Sequence, residues 1–249
     1  MQRYGMHLIT VTAALITLWF APAPLWAGPL PLLDAESRAQ WQAVGRVNGQ
    51  GYKRLRGCSG TLIAPDLVVT AAHCVGRADG LSRERHFIAG WYRGRFTAHR
   101  VSEDIVVHPL YALTEGTARF AYDLALIRLA DPIPTRLVAP VPLIAKDAEN
   151  DGEALLLGYQ NSVPHALAGQ SDCPLIGTGS PPLNLHLYDC EVVGGTSGGA
   201  VILETEQGPV LAAVIVGRAG PEGRALTAPV SEWLRQAWED AQARAARRP

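Results

Sequence analysis

Beyond residue 40 the chain is written in short apolar runs bounded by Gly, Pro, Asp or Asn: Trp41 to Val47, Gly60 to Ile63, Leu67 to Thr70, His86 to Trp91, Arg100 to Val107 and Leu124 to Leu129. Runs of this length with turn residues between them read as antiparallel strands. A Pro-marked stretch from Asp131 to Asp147 breaks the rhythm, and Ala154 to Tyr159, His186 to Cys190, Ala200 to Glu204 and Val210 to Val216 restore it. Two similar β units joined by a linker are expected. Only the tail has a helical period, with Val230, Trp233, Leu234, Ala237, Trp238 and Ala241 on one face and Ser231 placed to cap it. Such a stripe packs on its own domain, although Arg244, Arg247 and Arg248 also fit a helix lying on a membrane surface or a partner. Residues 28–40 show no element and read as a linker or short propeptide.

Ahead of that segment, Arg3, an apolar stretch from Leu8 to Phe20, then Pro22, Pro24 and Ala27 follow the plan of an export signal over residues 1–27, cleaved after Ala27. The stretch falls short of the roughly 20 apolar residues that span a bilayer, which disfavours the alternative of a retained anchor. Export changes the reading of the four cysteines, Cys58, Cys74, Cys173 and Cys190, all beyond the leader. An even count in an oxidising compartment, periplasm or medium, argues for two disulfides. Hydrophobic residues make up 48% and charged residues 18%, as in a globular chain, and the net charge of -1 creates no field for nucleic acid or an anionic membrane.

Three segments carry chemistry. Thr70-Ala71-Ala72-His73-Cys74 follows a strand, and Cys58 stands 16 residues before Cys74. A bridge between the two would clamp a hairpin and fix the backbone beside His73, and a general base needs that rigidity to keep hydrogen-bond distance to its nucleophile. Asp123 opens Asp123-Leu124-Ala125-Leu126-Ile127-Arg128-Leu129, a carboxylate at the mouth of an apolar strand, where burial demands a cation or imidazole partner. Asp104 competes for that role. In Gly194-Gly195-Thr196-Ser197-Gly198-Gly199-Ala200, glycines on both sides of one Ser allow a sharp bend that aims the Gly195 and Ser197 amides at one point, as an oxyanion hole requires.

In that order, TAAHC, DLALIRL and GGTSGGAV resemble the three signature segments of the chymotrypsin/trypsin-like serine peptidase clan, over roughly residues 41–240. The resemblance implies an all-β fold of two antiparallel six-stranded Greek-key barrels with a C-terminal α-helix. The first barrel would occupy 41–135, an inter-barrel linker 136–150, the second barrel 151–229, and the helix and tail 230–249. It implies a monomeric endopeptidase acting on polypeptides, without cofactor, metal, nucleic acid or stable membrane association. His73 would be the general base, Asp123 its orienting acid and Ser197 the nucleophile. Gly195 and Ser197 would form the oxyanion hole, and Ile215, Val216 and Gly217 would align the substrate backbone.

The sequence also departs from the animal trypsin pattern. Thr196 replaces the Asp that pairs with a freed amino terminus, and Cys190 lies seven residues before Ser197 rather than four. Both features are similar to the bacterial secreted branch that includes glutamyl endopeptidases, and they leave Cys173 and Cys190 as the second bridge. Counted back from Ser197, Glu191 falls where trypsin-like enzymes hold the acid that receives Arg or Lys; the alternative is a neutralised surface carboxylate. The His of Glu-cleaving relatives is missing from the pocket strand, which reads Val214, Ile215, Val216.

Other chemistries fail on order or spacing. The Ser segment also fits a nucleophile elbow, but all seven histidines precede Ser197, against the chain order of that fold. No paired Cys or His spacing supports zinc, and Gly177-Thr178-Gly179 lacks the Lys of a phosphate loop. An inactive binding module on the same fold remains the alternative to an enzyme.

Overall fold

A computed structural model of the chain describes residues 29–76, 84–146, 153–180 and 183–247. The expected leader lies outside the described residues. Among those described, no helix is long and apolar enough to cross a membrane.

Strands β1 (Val44–Asn48), β2 (Cys58–Ala64), β3 (Leu67–Thr70), β4 (His86–Ala89), β5 (Ala98–Val107) and β6 (Ala125–Leu129) close into a barrel with the order β1-β2-β3-β6-β5-β4. Strand residues on both faces, including Val44, Leu62, Val68, Phe87, Ile88 and Ile127, are fully buried. A short helix, α1 (Ala35–Gln40), precedes the barrel, and another, α2 (Ala72–Val75), follows β3. The second unit contains β7 (Ala154–Tyr159), β8 (Leu167–Cys173), β9 (Leu175–Thr178), β10 (His186–Glu191), β11 (Ala200–Thr205), β12 (Gly208–Ala219) and β13 (Arg224–Pro229), in the order β8-β7-β11-β12-β13-β10-β9.

The two edge strands of this second sheet, β8 and β9, are one run of chain interrupted at Pro174, whose missing N–H cannot extend a ladder. Counted as one run they give six, and those six then neighbour one another in the same cyclic order as in the first barrel. The two halves expected from the apolar rhythm thus share one topology. Strands β8, β9 and β13 were not among the predicted runs. Gly169-Gln170-Ser171-Asp172 and Gly177-Thr178 are poor in β-branched apolar residues, and pairing with β7 and β10 decides their conformation instead.

The connection after Asp131 is tied to both units. Val141 N donates to Leu62 O at 2.9 Å and Ile144 N to Leu211 O at 3.0 Å, while Val138, Val141, Leu143 and Ile144 are buried. The tail forms α3 (Glu232–Ala246), whose Ser231 cap accepts from Leu234 N. Its predicted face packs inward: Leu234 and Ala241 are buried, Trp238 Nε1 donates to Ile63 O at 2.7 Å and Arg235 Nη1 to Ile144 O at 2.6 Å. The helix therefore buckles the first barrel to the linker.

Residues 29–40 depart from the expectation of a structureless segment. Leu30 is 3% exposed in the second core, Gln160 Nε2 donates to its carbonyl, and Leu32 and Leu33 run along β8 before Asp34 caps α1. The segment is too short and too rich in Pro and Leu to show a period, and its partners on β8, β10 and Gln160 appear only once the chain has folded.

Candidate active site

The register of the first barrel brings the expected base and the expected acid together. Thr70 at the end of β3 pairs with Ala125 at the start of β6, so His73, three residues beyond one, meets Asp123, two residues before the other. Asp123 ends a 3-10 helix spanning Gly116–Tyr122, and its side chain is 4% exposed. Both carboxylate oxygens accept hydrogen bonds from one residue: Oδ1 from the His73 backbone N–H at 2.9 Å, Oδ2 from His73 Nδ1 at 2.6 Å. This double clamp fixes the ring's orientation and its tautomer, leaving Nε2 as the free basic nitrogen. The negative charge also reaches Tyr111, whose phenol is pushed up first by burial and then by Asp123. Asp104 lies exposed on β5, within 3.8 Å of Arg128, and has no part in the cluster.

Ser197 sits in the turn between β10 and β11, and that turn is sewn to the first barrel. Ser59 N donates to Ser197 O at 2.8 Å, Ser59 Oγ donates to Gly195 O at 2.9 Å, and Tyr159 N donates to Ser59 Oγ at 2.8 Å. Gly198 has φ +82°, and a Cβ on it would lie 2.1 Å from Ser59 O and 2.2 Å from Thr70 Oγ1, so only glycine lets the strands approach this closely. Ser59 is next to Cys58, and the Cys58–Cys74 disulfide leads to the residue beside His73. One short path of covalent and hydrogen bonds thus joins the Ser197 backbone to the imidazole.

The geometry of the expected oxyanion donors is open. Gly195 takes φ +105°, and the Gly194 carbonyl accepts from Asn161 N at 2.7 Å. Among the described residues no backbone carbonyl accepts from the Gly195 or Ser197 N–H. Thr196 is buried, and its hydroxyl donates to Val193 O at 2.7 Å, so the position of the trypsin Asp is satisfied locally.

Ile215 exchanges hydrogen bonds with the Ser turn, accepting from Gly198 N at 2.7 Å and donating to Gly199 O at 2.9 Å. Ile215 and Val216 are buried, and Gly217 faces the ring of Phe120. Glu191 ends β10 half-buried, with its side chain against Gly223 and an isolated bridge to Pro29. The neighbouring Asp189 points elsewhere, to Arg224 at 2.6 Å. The Cys173–Cys190 disulfide joins the end of β8 to β10 and closes the second sheet across the break at Pro174. Cys58, His73 and Cys74 place donor atoms within 4.8 Å of one another, but the two sulfurs are bonded together, leaving one imidazole and no thiolate for a metal.

Ser59, Asn161 and Phe120 support this site without standing out in the sequence. Ser59 had a signal, its place beside Cys58; Asn161 and Phe120 had none, since their roles arise only when separate loops meet.

Comparison with known proteins agrees with the architecture. The model of the trypsin-like peptidase domain matches residues 58–212, and the chain belongs to that family. A trypsin of Simulium vittatum is 33% identical over 111 residues, which span 43% of this chain and 42% of that protein, so the match covers under half of the relative's length. Among solved structures, a Glu endopeptidase superposes with a TM-score of 0.68 at 18% identity, over 88% of this chain and 99% of that one. The protease Anisep of Arthrobacter nicotinovorans gives 0.64 at 16% identity over 81% and 96%. The thermostable serine protease AL20 of an extremophilic microorganism gives 0.64 at 18% over 82% and 99%. These three likenesses describe the fold.

Proposed function

We propose that the chain is an exported serine endopeptidase using Ser197, His73 and Asp123 as a triad. The observation that carries the reading is the His73 ring held twice by one buried carboxylate, at 2.9 and 2.6 Å, on a backbone bridged to the strand that holds the Ser197 turn. His73 Nε2 takes the Ser197 proton as its oxygen attacks a peptide carbonyl. The charge forming on that carbonyl oxygen falls to the Gly195 and Ser197 amides, and one such donor is worth about 3 kcal/mol of barrier. Asp123 stabilises the imidazolium, which then protonates the leaving amine. Water repeats the sequence on the acyl-enzyme. Since only the neutral imidazole accepts a proton, activity falls in acid.

On the acyl side, the Ile215 to Gly217 strand would align the substrate, and Glu191 beside Gly223 would receive Arg or Lys. The segment expected as a leader and the two disulfides support export to the periplasm or medium. The fold also serves inactive binding modules, and one reagent separates the two readings. A fluorophosphonate should label the mature protein rapidly at Ser197 and fail on Ser197→Ala, whose turnover should drop by at least about a thousandfold. Equal turnover in the two proteins overturns the assignment. For the pocket, Glu191→Gln should lower cleavage after Arg and Lys selectively.

A further inference from the structure

Resting on the peptidase reading, we infer that the enzyme selects acidic residues in the leaving chain, at the first or second position after the scissile bond. The amine that His73 protonates must exit past the imidazole, away from the Ile215 to Gly217 strand. A pocket of ≈ 360 Å³ opens against His73 and the Cys58–Cys74 bridge, with Arg54, Arg56 and Asn161 on its walls and buried Arg85 among its lining residues, while Ile215, Val216 and Gly217 are not among them. Among the described residues, no Asp or Glu lines it.

Its cations sit on a fixed frame. The loop that carries them begins in a 3-10 turn, Gly51–Lys53, with Arg54 N bonded to Gly51 O at 3.3 Å, and ends where Gly57 N donates to Asn161 Oδ1 at 2.9 Å. Between these ends, buried Arg46 donates from Nη2 to the Arg54 carbonyl and stacks its guanidinium 4.8 Å from the Trp91 ring. Burial lowers the Arg46 pKa, and Tyr159 opposes that shift. Among the described residues, no carboxylate lies within ion-pair distance of Arg54 or Arg56, both of which are exposed. A chain whose net charge is only -1 thus gathers positive charge at the point where the product departs. An Asp or Glu side chain arriving there gains two guanidinium partners, and a Lys meets repulsion.

The test is a set of internally quenched peptides identical up to the scissile bond, with arginine or whichever residue a library digest ranks first before it, and Asp, Glu, Ala or Lys at the first or second position after it. At low salt the acidic peptides should exceed Ala by about fivefold and Lys by about twentyfold in kcat/KM, the scale of partly screened charge pairs. Both ratios should shrink severalfold at 0.5 M NaCl. In the double variant Arg54→Gln, Arg56→Gln the acidic-to-Lys ratio should collapse to within about twofold, and Arg56→Glu should tilt it toward Lys; a neutralising and a charge-reversing design guard against a folding defect in one. A wild-type ratio within twofold at low salt overturns the inference while the peptidase reading stands. If no peptide is cleaved and fluorophosphonate does not label Ser197, the peptidase reading fails and takes this one with it.

Discussion

The two β units share a strand order but differ in how they are held and in what they contribute. The first closes entirely by backbone pairing and positions His73 and Asp123 from the ends of two adjacent buried strands. The second has edges formed by one run bent at Pro174, with a disulfide spanning the bend, and it offers Ser197 from a glycine turn. On the proposed reading, orientation of a base would demand a rigid scaffold, which a closed barrel supplies, and presentation of a nucleophile would demand unusual backbone angles, which a glycine turn supplies. The same topology thus serves two different geometric requirements.

The largest effect that would test this division is Asp123→Asn, which keeps the hydrogen-bond shape but removes the charge and the tautomer preference. It should reduce kcat by about 10⁴-fold with little change in melting temperature; a loss under tenfold would deny the first barrel its orienting role. Next come the bridges. Each closes a loop of similar length, 16 and 17 residues in separation, so replacing either pair by Ala should cost about 3 kcal/mol in denaturant unfolding. Only Cys58→Ala with Cys74→Ala should also lower kcat of the folded protein, by tenfold or more, because that bridge adjoins His73. Equal kinetic losses from both pairs would erase the distinction.

Leu30→Ala should cost about 2–3 kcal/mol, and its effect on hydrogen exchange should fall on β7, β8 and β10, leaving the first barrel protected. The smallest effect concerns acid. Burial pulls the imidazoles of His99 and His108 in the first unit, and His186 in the second, below the ordinary histidine value. The unfolded chain therefore binds these protons more readily, and the stability they contribute, present above the unfolded value of about 6.5, is lost as pH falls through the lower folded values. Unfolding free energy should decline from pH 7 toward pH 5, and His108→Gln should flatten part of that slope. A stability that rises over the same interval would contradict these burials.

Much of the fold and site is legible in the residues alone. The triad segments, the even cysteine count, the two β halves and the helix after Ser231 rest on local pattern, and local pattern survives folding. The rest depends on contacts between distant residues, which no local pattern encodes. Polar β8 becomes a strand because β7 offers it a ladder. Phe120 matters because Gly217 has no side chain. Asn161 matters because two turns converge on it, and Arg46 shows only as a cation in a strand until Trp91 covers it. Sequence spacing located the candidate chemistry, and tertiary packing located what surrounds it.

The plug formed by Leu30 ties residues 29–33 to the folding of the second unit. On the export reading proposed above, a trimming enzyme that stopped before Pro29 would leave that unit corked, whereas one that strayed a few residues further would uncork it. The interior would then police the cut, since an overtrimmed molecule would be removed by its own instability.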